Sequence, residues 1–430
     1  MKKLTIILLL AITATGFSQG CLPEGITFST QQQIDDFQTD YPGCTEIEGD
    51  VTIGGTDITN LNELSQLISF AGNLNIGDLE NGNPLLNNLT GLDNVISIGG
   101  DLSIVNNDLL TNLSGLENLQ FINHTLQVGI VGFGNPSLMS LQGLNKLGSI
   151  ESSLNVFSNA SLTNIEALSN LKSIGTSLSF IENETLHNLN GLENIKTLNG
   201  LLLIQDNDDL TDLNGLDSLY QVNTLRVFLN SNLEDFSGLN SLKYILGEMD
   251  IFENNSINSL SGLDSLIYIG DRLRIKGNSS LTDLLNLGSL SPNSISELHI
   301  YENNSLSDCQ ATSICNYLIS PNGTVNIQNN ATGCNSQAEI EEACPLGTNE
   351  TEYLSDNIQI FPNPAKNTIT ILNSSNTKIQ EVIIFNPSGK TILQKKGPVN
   401  TIDISGLQTG LYFVEVKTGM GDVRKKLIVE

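Results

Sequence analysis

The chain has 430 residues and a formal net charge of −28, so it is long enough for two or more domains and core size does not limit it. Residues 21–345 carry 39 of the 47 acidic residues but only eight of the 19 basic ones. That balance excludes nucleic acid as an expected partner, because polyanion binding needs clustered Lys and Arg to displace counterions; the acidity itself implies self-repulsion and solubility, not a ligand.

In chain order, the first segment is Met1-Lys2-Lys3, an apolar run from Leu4 to Ala14, and small and polar residues to Gly20. A charged start, an apolar stretch too short to span a bilayer and a small-residue exit predict a secretory signal peptide over 1–20. A lipid anchor on Cys21 would want an apolar residue three positions earlier, where Ser18 stands. No later segment is apolar enough to predict a transmembrane helix in the mature chain. The six cysteines are even in number and bracket the acidic middle: Cys21 and Cys44 before it, Cys309, Cys315, Cys334 and Cys344 after it. That distribution predicts disulfides sealing two ends in an oxidising compartment. Cys21–Cys44 is the pairing available at the front. At the back, Gln310–Leu318 and Ser336–Ala343 read as helical, and cysteines six or ten apart on a helix cannot meet. Cys309–Cys334 with Cys315–Cys344 is favoured there, although spacing leaves other connectivities open.

Between the cysteines the chain repeats. The glycine of Leu89-Thr90-Gly91-Leu92 recurs at 91, 115, 143, 167 (Ala), 191, 215, 238, 262 and 286 (Asn). Eight residues before each mark stands an asparagine, from Asn83 through Asn183 to Asn278, and Asn303 opens one more unit. One unit reads N-x-x-L-x-x-L-x-G-L-x-x-L-x-x-I-x-x-x-L-x-I-x-x, approximately as in 183–206. Its apolar positions change from period three to period two, which rules out one amphipathic helix. The L-x-I step predicts a short strand with alternate residues inward. The asparagine after it turns the chain and can bond the same residue one coil away. A single coil cannot bury its leucines, whereas a stack buries them all in one long core. The expected fold is therefore mainly β: a parallel solenoid of about ten 24-residue coils over 21–345.

These residues carry a resemblance. The spacing L-x-I-x-x-N-x-x-L-x-x-L-x-G-L, with the cap Cys44-x-x-Ile47-x-Gly49-x-Val51-x-Ile53, is similar to the receptor L-domain, a right-handed β-helix relative of leucine-rich repeats. A plain leucine-rich horseshoe differs in curvature and not in logic. The resemblance implies recognition of a ligand and no chemistry. This chain departs from such receptors by running its coils without a cysteine-rich module between them.

Residues flanking the inward pair of each strand face outward in two columns. The first reads Ser103, Gln127, Asn155, Ser179, Leu203, Arg226, Asp250, Arg274, His299 and the second Val105, Phe133, Phe157, Ile181, Gln205, Phe228, Phe252, Lys276, Tyr301. Four of the eight basic residues of the middle (Arg226, Arg272, Arg274, Lys276) fall on or beside these strands. Aromatics mixed with Arg on an open sheet suit a protein or glycan hot spot. The candidate ligand site is thus Arg226, Phe228, Asp250, Phe252, Arg274, Lys276, His299 and Tyr301. A structural stack of the phenylalanines accounts for them equally well.

No enzymatic constellation is legible, and the chain reads as non-enzymatic. His124, His187 and His299 fall in different coils without partners at metal-ligand spacing, and no nucleophile elbow, phosphate-binding loop or full calcium loop occurs. Asp206-Asn207-Asp208-Asp209 reads as a solvated turn. No cofactor or metal is expected. Carboxylates brought together from distant coils, as in a polysaccharide-acting β-helix enzyme, would leave no sequence signature, and a plain surface spacer is a further alternative.

After Cys344 the composition changes. Residues 346–356 read as a linker, and 357–430 alternate short strands with turn residues, which predicts a β-sandwich of about seven strands. Phe361-Pro362-Asn363-Pro364-Ala365, Asn386-Pro387-Ser388-Gly389-Lys390, Gly410-Leu411-Tyr412-Phe413-Val414 and Lys425-Lys426-Leu427-Ile428-Val429 occur in that order. Together they resemble the C-terminal sorting domain of the type IX secretion system of Bacteroidetes. That resemblance implies that Pro362, Asn363, Pro364, Gly389, Gly410, Leu411, Tyr412, Lys425 and Lys426 serve the secretion machinery. It also implies passage through the outer membrane to the medium or the cell surface.

Overall fold

The computed structural model describes residues 20–344, 354–355, 357–374, 377–419 and 421–430. The expected signal peptide, apart from Gly20, and most of the expected linker lie outside the described residues. The chain divides into two compact units, one running to Ile314 with Gly323–Ser336, the other holding Cys315–Asn322 and Gln337–Glu430.

The first unit is a β-solenoid. Thirteen strands, one per coil, pair in parallel along its long sheet: β1 (Ile26–Phe28), β2 (Val51–Ile53), β3 (Leu74–Ile76), β4 (Leu102–Ile104), β5 (Leu126–Val128), β6 (Leu154–Phe157), β7 (Leu178–Ile181), β8 (Thr197–Gln205), β9 (Gln221–Phe228), β10 (Met249–Phe252), β11 (Arg272–Lys276), β12 (Glu297–Tyr301) and β13 (Val325–Gln328). The inward pair of each L-x-I step is fully buried, as at Leu126 and Val128 or Leu273 and Ile275. The register places each leucine on the next, Leu102 on Leu126 on Leu154 on Leu178. The expectation of about ten coils is therefore low. The extra strands β1, β2 and β13 belong to the ends, where the asparagine mark or the L-x-G-L step is absent, so the repeat count passes over them.

Each coil bends where an asparagine side chain replaces backbone partners. Asn83, Asn107, Asn135, Asn159, Asn183, Asn207, Asn230, Asn254, Asn278 and Asn303 are wholly buried, and each Nδ2 donates to the Oδ1 of the next at 2.9–3.5 Å, Asn303 reaching Asn330. From Asn107 to Asn303 each backbone N–H donates to the same oxygen. Gly55 N–H closes the ladder at Asn83. A buried side-chain amide is tolerable only with its donors and acceptor all engaged, and here the stack supplies every partner. The L-x-G-L glycine answers a different need. Gly115 has φ +115°, and a Cβ there would lie 2.1 Å from the Leu89 carbonyl of the preceding coil. Where the glycine is replaced, at Ala167 and Asn286, the chain forms 3₁₀ turns, Glu166–Leu168 and Leu285–Leu287, which avoid the positive φ.

A second ladder, which the repeat reading does not contain, runs along another face of the coils. Two-residue strands pair from Gly20–Cys21 to Ser173–Ile174, and a further set pairs Thr197–Leu198 with Gln221–Val222, Tyr244–Ile245 and Tyr268–Ile269. At the front, Thr30 and Gln33 form a capping box on the helix Gln31–Asp35, and Cys21 bonds Cys44 with Cα atoms 5.7 Å apart. The other two disulfides join Cys309 to Cys334 and Cys315 to Cys344; the helices there are Thr312–Ile319 and Gln337–Ala343.

The second unit contains two antiparallel sheets: β14 (Ile358–Phe361), β15 (Thr368–Asn373) and β18 (Thr401–Asp403) in one, β17 (Thr391–Lys396), β16 (Ile379–Phe385), β19 (Gly410–Thr418) and β20 (Asp422–Val429) in the other. Their inner residues share one core, with Ile358, Ile369 and Ile402 from one sheet and Val382, Ile384, Val414 and Leu427 from the other. Among the described residues no helix is long and apolar enough to cross a membrane.

Candidate functional site

The outward columns align in register, coil by coil. Leu203, Arg226, Asp250, Arg274 and His299 lie side by side on β8–β12, and Gln205, Phe228, Phe252, Lys276 and Tyr301 form the parallel row. Three members expected in the second column do not present themselves there. Val105 is fully buried and Ile181 is 8% exposed; Val105 sits between the longer turns that follow β3 and β5. Phe133 is on no strand, because the extra residues of the 28-residue coil make an excursion in which Ile130 and Phe133 bridge each other.

On β9–β11 the charged residues form one network around Asp250, whose side chain is inaccessible to solvent. Its Oδ1 lies 3.1 Å from Arg274 Nε, and its Oδ2 lies 3.3 Å from Arg226 Nε and 3.2 Å from Arg272 Nη2. The Nε groups of Arg226 and Arg274 are buried beside this carboxylate without a hydrogen bond to it. Glu248 Oε2 bridges Arg226 and Arg272 at 2.9 and 2.8 Å. Burial pulls the Arg272 guanidinium down, but its hydrogen bond to Asp250 and the charges of Asp250, Glu248 and Glu297 outweigh burial and leave it raised. Lys276 lies 3.4 Å from Glu253 and 3.8 Å from Glu302, and His299 Nε2 is 3.2 Å from Glu297. The positive charges gathered here are thus matched by carboxylates. The sequence columns omit Glu248, Glu253 and Glu302, because these lie outside the L-x-I alternation and only the coil-to-coil register brings them to the arginines and lysine.

The aromatic row is continuous with this network. Phe228 and Phe252 stack with ring centroids 4.2 Å apart at 11°. The Arg274 guanidinium lies 5.0 Å from the centre of the Phe252 ring, and Lys276 Nζ lies 6.0 Å from that of Tyr301. All eight predicted site residues therefore fall on one strand face. Arg226 and Arg272 are hydrogen-bonded by the carboxylates and Arg274 lies within ion-pair distance of Asp250, while Phe228, Phe252 and Tyr301 remain half-buried. Such a face can stack flat apolar surfaces and donate hydrogen bonds at fixed positions. Elsewhere His187 Nδ1 is 3.8 Å from Asp209, and among the described residues no three His, Cys, Asp or Glu side chains group as a metal site requires.

In the second unit the motif residues converge on β20. Asn363 accepts the Ile428 N–H at 2.9 Å and donates to the Lys426 carbonyl at 2.7 Å; Ala365 and Glu430 continue the pairing. Pro362 and Pro364 flank this contact. Gly410, Leu411 and Tyr412 pair with Val429, Ile428 and Leu427 on the other side of β20. Tyr412 Oη donates to Gln408 O at 2.9 Å. Lys425 Nζ lies 2.9 Å from Ser355 Oγ. Gly389, at φ +82°, completes the turn in which Asn386 Oδ1 accepts from Ser388 and Lys390. With Phe385, Phe413, Arg424 and Lys426, this turn lines a cavity of about 590 Å³.

Fold and site together define a mainly β protein: a ladder-stacked solenoid with a patterned strand face, followed by a small antiparallel sandwich. Residues 359–430 match the family described as the secretion system C-terminal sorting domain, and the four motifs named above lie in or beside that span. This domain marks the protein for type IX secretion, to the cell surface or beyond it. No curated protein matches the chain.

Proposed function

We propose that the exported protein is a recognition or adhesion protein, not an enzyme, and that it binds a glycan or protein through the solenoid strand face at β9–β12. The observation that carries this reading is the Phe228–Phe252 stack set against Arg274, whose guanidinium is held by a fully buried Asp250. A solenoid needs neither a half-exposed aromatic pair nor a buried ionic network for its own stability, because hydrophobic replacements of similar volume serve as well. Fixed arginine planes beside aromatic faces cost little ordering entropy on binding. Since carboxylates match the cations, the ligand is held by stacking and directed hydrogen bonds and not by bulk charge. The resemblance of the coils to the receptor L-domain supports the same reading, with the solenoid as the recognition module and the C-terminal domain as its export signal.

The test is an array of immobilised extracellular glycans and surface proteins probed with the purified secreted protein and with Phe252→Ala. A ligand bound by the parent and lost with Phe252→Ala at unchanged melting temperature supports the reading. Ligands bound equally by both proteins would place recognition elsewhere.

A further inference from the structure

Of the eight basic residues between 21 and 345, four are matched by carboxylates on the strand face, and Lys146 donates to Asn118 Oδ1 at 2.7 Å. The other three, Lys172, Lys196 and Lys243, are exposed, and none lies within ion-pair distance of a carboxylate among the described residues. They share one position in the coil, immediately before the two-residue steps Ser173–Ile174, Thr197–Leu198 and Tyr244–Ile245 of the second ladder. Tyr220 fills that position in the coil between; its N–H donates to the Lys196 carbonyl, and the Lys243 N–H donates to its own carbonyl, each at 2.9 Å. Parallel pairing spaces adjacent coils by about 4.8 Å, so the row from Lys172 to Lys243 extends roughly 14 Å along the stack.

Two further features mark the upper part of this row. Lys172 and Lys196 flank a cavity of about 370 Å³, lined also by Ser173, Ile174, Asn194 and Thr197. The cavity sits at a seam: the seven-strand run of the second ladder ends at Ser173–Ile174, while Thr197–Leu198 belongs to the nine-residue β8 and pairs onward with Gln221–Val222. Glu193 and Asp217, three residues before Lys196 and Tyr220, turn back onto the amides of Gly191 and Gly215. We propose that the row Lys172, Lys196, Tyr220 and Lys243 binds a carboxylated polysaccharide running along the solenoid axis across the second ladder. Compact ammonium groups suit carboxylates as point charges. The hydroxyls and amide of Ser173, Thr197 and Asn194 suit sugar hydroxyls, and Tyr220, 42% exposed, offers a ring face for stacking. A nucleic acid, with its denser charge, would need more than these three ammonium groups to displace its counterions. This site lies on a different face from Phe252 and stands independently of the strand-face reading.

The experiment titrates the secreted protein calorimetrically with polygalacturonate and with neutral galactan, at low and at physiological salt. Binding of polygalacturonate alone, weakened by salt, is expected; Lys172→Gln with Lys196→Gln should weaken it about tenfold or more, while Phe252→Ala leaves it unchanged. Absence of polygalacturonate binding at low salt, equal binding of galactan, or an unaffected double variant with a parent-like circular dichroism spectrum would overturn the proposal. A binding loss in Phe252→Ala as large as in the lysine variant would overturn it as well, by moving the site to the other face.

Discussion

Asn183 Nδ2 and Asn207 Oδ1 are 3.1 Å apart, and the Asn183 backbone N–H reaches the same oxygen at 3.2 Å. One buried carbonyl oxygen therefore closes two donors of the preceding coil, while Asn207 Nδ2 answers the Phe180 and Gln205 carbonyls and Asn230. Truncating that side chain orphans donors on one side and acceptors on the other. Each buried unsatisfied group costs about 1–3 kcal/mol, so Asn207→Ala should lower stability by about 3 kcal/mol or more, read as a fall in the urea midpoint. Asn330→Ala, at the half-buried end of the ladder, should cost distinctly less. Equal effects at the two positions would mean that the ladder does not act as a linked series.

The glycine column allows a sharper contrast. Gly115→Ala meets both a positive φ and the Leu89 backbone of the previous coil, which cannot yield without breaking the stack. A loss above about 2 kcal/mol is expected from strain of this kind. Gly132 also has a positive φ, +79°, but nothing stands within 4 Å of the site where its Cβ would be. Gly132→Ala should cost only the conformational term of about 1 kcal/mol. Thermal unfolding of the two variants side by side decides whether close approach, and not φ alone, selects glycine.

Asp250 carries the charge balance of the strand face. Removing one partner of a buried ion pair costs about 3–5 kcal/mol. The three arginines retain 25–42% of their side-chain exposure, so water recovers part of that loss, and Asp250→Ala should destabilise by about 2 kcal/mol. Lys276→Ala breaks contacts between exposed partners and should stay within about 1 kcal/mol. If Asp250→Ala proves as mild as Lys276→Ala, the network has no structural weight.

A one-dimensional pattern holds only what recurs at a fixed interval along the chain. The ladder was legible because a buried polar residue recurs at a fixed place among leucines, and the seven strands of the C-terminal sandwich because alternation and turn residues delimit them. The two-residue strands of the second ladder were not, since two residues have no period to detect. Coils at the two ends fell out of the count because the first ones lack the asparagine and the last, though it carries Asn330, lacks the L-x-G-L step. Arg226, Arg274 and Asp250 could be placed on one face, but the bridging of Arg226 and Arg272 by Glu248 depends on which coil lies beside which. The same dependence hid the contrast between the matched arginines and the unanswered lysines Lys172, Lys196 and Lys243.

The sorting domain yields the last prediction. Asn363 binds the peptides on both sides of Leu427 on β20, taking the Ile428 N–H and giving to the Lys426 carbonyl, while β19 pairs along the opposite edge of β20. The residues between Phe361 and Ala365 thus hold β20, and with it Lys425 and Lys426, from the side that β19 leaves open. Asn363→Ala removes two hydrogen bonds, each worth about 1 kcal/mol net, from a domain whose remaining contacts are unchanged. Melting of this unit should shift down by about 8–16 °C, at about 4–8 °C per kcal/mol for a domain of this size. If secretion reads the fold of β20, export of Asn363→Ala should fall in proportion to the fraction unfolded, and Asn363→Asp, which keeps the acceptor for Ile428 but loses the donor to Lys426, should fall in between. Normal export of a measurably destabilised Asn363→Ala would show that the machinery reads neither the Asn363 side chain nor the stability of the strand it holds.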